Sequence, residues 1–142
     1  MGDMKHVTLL FAIISILSAA AFAAHHGGKW HSLFDGKTLD GWTANKENPN
    51  SYFVEKGNLV VRGGRSHLFY TGKVGGANFK NFELKMKVKT MDNANSGVYF
   101  HTAYQDEGWP SQGFEAQVNT SHKDPKKTGS LNAVSDTHLT LP

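Results

Sequence analysis

Phe82-Glu83-Leu84-Lys85-Met86-Lys87-Val88-Lys89 alternates apolar and charged residues without a break. In a strand, successive side chains point to opposite faces, so this period of two predicts one face in a core and the other in water. Lys85, Lys87 and Lys89 need no function on that outer face: they solvate it and discourage pairing at an edge.

The same period recurs on both sides. Downstream, Gly97–Tyr104 puts Val98, Phe100 and Thr102 on one face and Tyr99, His101 and Ala103 on the other. In Phe114–Asn119, Phe114, Ala116 and Val118 oppose Glu115, Gln117 and Asn119. Upstream, Tyr52–Glu55 and Leu59–Arg62 flank Lys56-Gly57-Asn58, the pattern of a hairpin with a glycine-containing turn. His67–Thr71 is a short strand between glycine clusters. No stretch after the first segment keeps a helical period over three turns. Short strands, glycine-rich turns and no helices between them predict an all-β fold, a sandwich or a barrel.

Length and composition narrow the functions. The chain has 142 residues, 39% of them hydrophobic and 19% charged, which suits one ordinary globular domain. Its 15 basic and 12 acidic residues leave a charge of +3, too weak for a nucleic-acid footprint. Cysteine is absent, which excludes disulfides, Cys-ligated zinc, iron–sulfur clusters and thiol nucleophiles. No glycine-rich loop joins a strand to a helix, so nucleotide binding has no support. Residues 1–23 read as a signal peptide: Lys5 and His6, the apolar run Val7–Leu17, then Ala21-Phe22-Ala23 as cleavage site. The expectation is a secreted or periplasmic protein with no membrane span after cleavage. Residues 24–32 follow as a flexible polar leader, whose His25-His26 pair is read as part of that leader and not as a metal site.

Candidate chemistry lies on the polar strand faces. If the Gly97–Tyr104 and Phe114–Asn119 strands share a sheet, Tyr99, His101, Glu115 and Gln117 converge. A phenol, an imidazole, a carboxylate and an amide suit a small polyhydroxylated ligand, with Trp109 and Tyr104 as an aromatic rim. The competing reading makes Tyr99 and His101 half-buried sheet residues with satisfied hydrogen bonds. Asn95 in Asn95-Ser96-Gly97 is either a turn residue or a polar group at the rim. His122–Lys127 reads as a basic surface turn, with contact to an anionic group as the alternative, Asp106-Glu107 as a solvated pair, and Asn119-Thr120-Ser121 as a sequon of little weight.

From Leu33 to about Leu131 the chain resembles the 3-keto-disaccharide hydrolase domain family. The resemblance is carried by 33–42 (LFDGKTLDGW), 67–72 (HLFYTG), 78–84 (NFKNFEL) and 95–101 (NSGVYFH), then by 108–110 (GWP), 113–118 (GFEAQV) and 127–131 (KTGSL). It implies a concanavalin-like jelly roll of two curved antiparallel sheets, and cleavage of glycosides whose sugar carries a C3 ketone. On that basis Glu115 is the first candidate base and His101 the alternate base or acid. Asn95, Tyr99, Gln117, Trp109 and Tyr104 would contact the sugar. A divalent metal is a possible cofactor, with His101 and Glu115 as candidate ligands. The other function considered is a carbohydrate-binding, lectin-like module without catalysis. An aromatic usually follows the Thr-Gly-Ser-Leu segment in this family, and Asn132 stands there instead. Residues 133–142 depart from the family and are read as a non-native tail. The expectation is therefore a partial sandwich over 33–132, with open edges, unstable and inactive by itself.

Overall fold

The computed structural model describes residues 29–134, so the expected signal peptide, and all but two residues of the expected tail, lie outside the described residues. The described elements belong to one compact unit beginning at His31.

The architecture is all-β and wholly antiparallel, consistent with a jelly-roll-like sandwich. Strands β1 (Trp42–Ala44) and β4 (Leu68–Tyr70) form one pair, β2 (Tyr52–Glu55) and β3 (Asn58–Val61) a second. β5 (Ser96–Phe100), β6 (Phe114–Val118) and β7 (Leu131–Ala133) form a sheet with β6 in the middle. Among the described residues, helical structure amounts to short 3-10 segments at Pro49–Ser51 and Val74–Ala77. No helix there is long and apolar enough to cross a membrane.

The β2–β3 hairpin forms as its sequence implies, with a tighter turn. Glu55 pairs with Asn58, leaving only Lys56 and Gly57 between the strands, at φ of 50° and 78°. Two successive left-handed residues match the right-handed twist of a hairpin, and Asn58 becomes the first residue of β3. β1 was not foreseen; three residues are too few to show a period. It is placed by the turn before it: the Asp35 carboxylate accepts the Lys37 and Thr38 N–H groups at 2.7 and 2.8 Å, and the Trp42 indole donates to the Leu33 carbonyl at 2.8 Å.

Two sequence expectations need correction. The 82–89 segment pairs with no strand among the described residues, and all eight of its residues are exposed. Its ends are held at opposite ends of β5: the Phe82 ring lies 6.2 Å from Phe100, and the Thr90 hydroxyl meets that of Thr120 at 3.0 Å. Alternation specifies which side chains share a face; it does not supply a backbone to bond with or a layer to cover that face. Second, the strand foreseen as Gly97–Tyr104 stops at Phe100. His101 takes the left-handed conformation, φ 55°, and turns the chain. Gly113 faces this corner so closely that a Cβ there would come within 2.7 Å of the His101 carbonyl oxygen.

The buried residues are mostly polar. Asn45 and Asn119 are wholly inaccessible, with Ser51, His67 and Gln117 nearly so, while among the described apolar residues only Pro110 is buried. Unsatisfied amides are costly to bury, and both asparagines are fully engaged. Asn45 accepts from Ser66 and from the His67 N–H, and donates to Glu47. Asn119 donates to the carbonyls of Asp124 and Lys126 and accepts the His122 N–H. Its side chain leaves no room for a glycan at the sequon.

Candidate active site

The three-stranded sheet places the polar residues of β5 and β6 side by side. Tyr99 pairs with Glu115, and Gly97 with Gln117. Tyr99, Glu115 and Gln117 line an open hollow of about 280 Å³, and Asn95, Trp109, Asp124, Lys126 and Asn132 line it with them. A second hollow, about 350 Å³, lies between Glu47–Ser51 and Arg62–Gly64; its acid, Glu47, is paired with Arg65, which holds its carboxyl below the ordinary carboxylate value and makes it a poor base. The smaller one contains Glu115, the acid that its surroundings make more basic.

Glu115 is half-buried, and desolvation raises its carboxyl above the ordinary carboxylate value. A hydrogen bond from the Tyr99 hydroxyl and the charge of Lys126 oppose the rise, and the charge of Asp124 adds to it. Tyr99 is in turn pushed well above an ordinary phenol, by burial first and then by the Glu115 charge and the hydrogen bond between them. It stays protonated at neutral pH and donates. The position of Glu115 requires a glycine at 97, because a Cβ there would lie 2.7 Å from the Glu115 carboxyl carbon.

Gln117 and its neighbours build the frame. Its amide nitrogen donates to the Asn95 side-chain oxygen at 2.7 Å and to the Ser96 carbonyl at 3.0 Å. Its oxygen accepts from the Asn132 amide at 3.2 Å. Gln117 therefore ties Asn95 to Asn132 across β5, β6 and β7, with both of its N–H groups already used.

His67 forms the back of the aromatic wall. It is 8% exposed, with its ring edge-on to Tyr99 at 5.4 Å and to Trp109 at 5.3 Å. Its Nδ1 is buried without a protein partner, and burial lowers its basicity. On the outer side, the Arg65 guanidinium lies 5.5 Å from the Trp109 ring centre and is paired with Glu47. The loop bearing Trp109 is tied back by Lys46, whose N–H donates to the Asp106 carbonyl at 2.7 Å and whose ammonium meets the Asp106 carboxylate at 2.8 Å.

Of the residues singled out from the sequence, Glu115, Tyr99, Gln117, Asn95 and Trp109 come together. His101 does not: the left-handed turn carries its exposed ring against Phe82 and Phe100, at 6.1 and 5.6 Å, and away from Tyr99's face. Tyr104 does not either; its ring packs on Phe69 at 5.1 Å and its hydroxyl donates to Asp106. Glu115 and His101 are thus not a ligand pair, and among the described residues no group of three or more His, Asp or Glu side chains could hold a metal ion. Sequence reasoning passed over His67, Asp124, Lys126 and Asn132. Only Asn132, a polar residue where an aromatic is usual, gave a signal.

A curated 3-keto-disaccharide hydrolase from Bacteroides thetaiotaomicron is 32% identical over 75 residues, which cover 49% of this chain and 26% of that protein. The chain thus spans about a quarter of that relative's length. No solved structure matches it. A family model, the 3-keto-alpha-glucoside-1,2-lyase-like domain, matches residues 29–139, most of the chain, and the protein belongs to that family.

Proposed function

We propose that this protein cleaves 3-keto-glycosides, by removal of the C2 proton, loss of the C1 substituent and addition of water. The observation that carries the reading is Glu115: a half-buried carboxylate whose basicity burial increases, facing a hollow and bonded to a phenol. A general base works best when its pKa approaches the working pH, and this environment moves Glu115 in that direction.

The steps balance without an external redox partner. The C3 ketone acidifies the C2 proton, which passes to Glu115, and the electron pair moves into the C2–C3 bond and onto O3. Collapse of the enolate restores the ketone, forms C1=C2 and breaks the C1–O bond, and the leaving oxygen takes the proton held by Glu115. Water then adds hydroxyl to C1 and hydrogen to C2, and the sum is hydrolysis. Elimination followed by hydration accommodates both the lyase wording of the family and the hydrolase wording of the relative. Trp109 offers a face for the apolar side of the ring, and Asn95 a polar group at the rim.

Glu115→Gln should abolish turnover of a 3-keto-glucoside, read as release of a chromogenic aglycone, while the protein still folds and binds the sugar. Retained turnover removes Glu115 from the mechanism. Sugar binding by the wild type with no turnover would favour a carbohydrate-binding module instead. Export belongs to the same proposal, supported by the apolar run and the Ala21-Phe22-Ala23 site; N-terminal sequencing of the protein recovered from an expressing bacterium should begin at Ala24.

A further inference from the structure

His122–Lys127 reads from its sequence as a basic turn, but the 119–128 loop that contains it has a specific fold. Asn119, wholly buried, donates to the carbonyls of Asp124 and Lys126 at 3.2 and 2.8 Å, and its own backbone is tied to Thr128 in both directions. The Lys126 N–H donates to the Asp124 carboxylate at 2.9 Å. The loop's three lysines therefore have different places. Lys127 braces the loop by donating to the His122 carbonyl, and Lys123 is exposed. Only Lys126 lines the hollow that contains Glu115. The salt bridges among the described residues are Lys46–Asp106 and Arg65–Glu47, so Lys126 and Glu115 share the hollow without closing it between them.

We infer that Lys126 is the electrophilic partner of Glu115: its ammonium polarises the C3 carbonyl and holds the oxygen that becomes negative when the C2 proton leaves. The inference rests on the elimination reading. That reaction moves a charge from the carboxylate to an oxygen two bonds from the carbon losing its proton. A base and a cation lining one small hollow can supply those two charges. A preorganised cation at the developing oxyanion favours the transition state over the ground state, so its effect falls on kcat more than on KM.

The test compares wild type, Lys126→Met, Lys126→Arg and Glu115→Gln on a chromogenic 3-keto-glucoside. It also follows exchange of the C2 hydrogen for deuterium in methyl 3-keto-glucoside by NMR. Lys126→Met should lower kcat about 10²–10³-fold, the usual cost of removing one oxyanion donor, with KM changed only a few-fold. It should slow C2 exchange in parallel, because enolisation itself needs the cation, and Lys126→Arg should recover part of both rates. The Lys126 side chain is exposed, so both Lys126 variants should keep the wild-type melting temperature. If wild type is active and Lys126→Met exchanges and turns over at the wild-type rate, the inference fails and the elimination reading stands. A rise in KM alone would also overturn it, making Lys126 a ground-state sugar contact. If wild type shows neither exchange nor turnover, the elimination reading fails and takes this role with it.

Discussion

Glu115 sits half out of water, and desolvation holds its carboxyl above the ordinary 4.5. His67, behind Tyr99, is displaced the other way: burial lowers it from the ordinary 6.5, Glu47 opposes that shift and Arg65 adds to it. The two groups therefore tilt stability in opposite directions. An acid raised in the folded state binds more protons there, so its contribution is lost as pH rises from about 4.5 through the raised value. A base lowered in the folded state binds fewer, so its contribution is intact above 6.5 and lost as pH falls below it. Thermal melts across this range should separate them. Glu115→Gln should remove the loss on the alkaline side, and His67→Phe, which keeps an aromatic ring between Tyr99 and Trp109, should remove the loss on the acid side. The acid limb of kcat/KM should lie above 4.5, because the base must be ionised to accept a proton. A limb at or below that value would mean that Glu115 is not the group being titrated.

At the scale of elements, the β5–β6 ladder does what the sequence pattern implies. Tyr99, Glu115 and Gln117 were legible as a convergent face because both strands keep a strict period of two. The pattern fails where a single residue leaves the strand: His101 would share Tyr99's face only if the backbone stayed extended, and one left-handed residue sends it elsewhere. Nothing in a hydrophobic pattern reports such a turn. Nor does a pattern report that Asn119 ties down a ten-residue loop so that Asp124 and Lys126, on a surface turn as the sequence implies, also line the hollow. Gly97 lies in β5, in the strand expected to begin there, but its closeness to the Glu115 carboxyl is not something a pattern reports. Gly97→Ala should therefore act on the site more than on the fold. The added methyl meets the far end of a flexible side chain, which can swing aside at a cost of about 1–3 kcal/mol. Turnover should fall by at least about tenfold, the consequence of a misplaced base, while the melt stays cooperative. Wild-type turnover in this variant would show that the carboxylate's position over Gly97 is not the productive one.

Across the whole molecule, the distribution of burial is the reverse of an ordinary domain's. Polar side chains, Asn45, His67, Gln117 and Asn119, are the enclosed ones, and they surround or support the hollow. Meanwhile Phe82, Leu84, Met86 and Val88 are each between 42% and 56% exposed, and Met91 is 71% exposed. All-β character was legible because local alternation sets strand faces; the covering of those faces was not, because it depends on what packs against them. An apolar ribbon that joins no sheet among the described residues leaves hydrophobic area uncovered. The described chain should therefore self-associate through this ribbon. Light scattering on the purified protein should show particle mass rising with concentration and with salt, since salt strengthens apolar burial and screens the lysines between the apolar positions. Replacing Leu84, Met86 and Val88 together with threonine keeps β propensity while removing most of the apolar area, and should return the protein toward a monomer. Because 82–89 contributes nothing to the walls of the hollow, C2 exchange on a 3-keto-glucoside should survive in the triple variant. Association that persists unchanged in it would place the sticky surface elsewhere, on the Val98–Phe100 and Phe114–Ala116 side of the β5–β6 ladder.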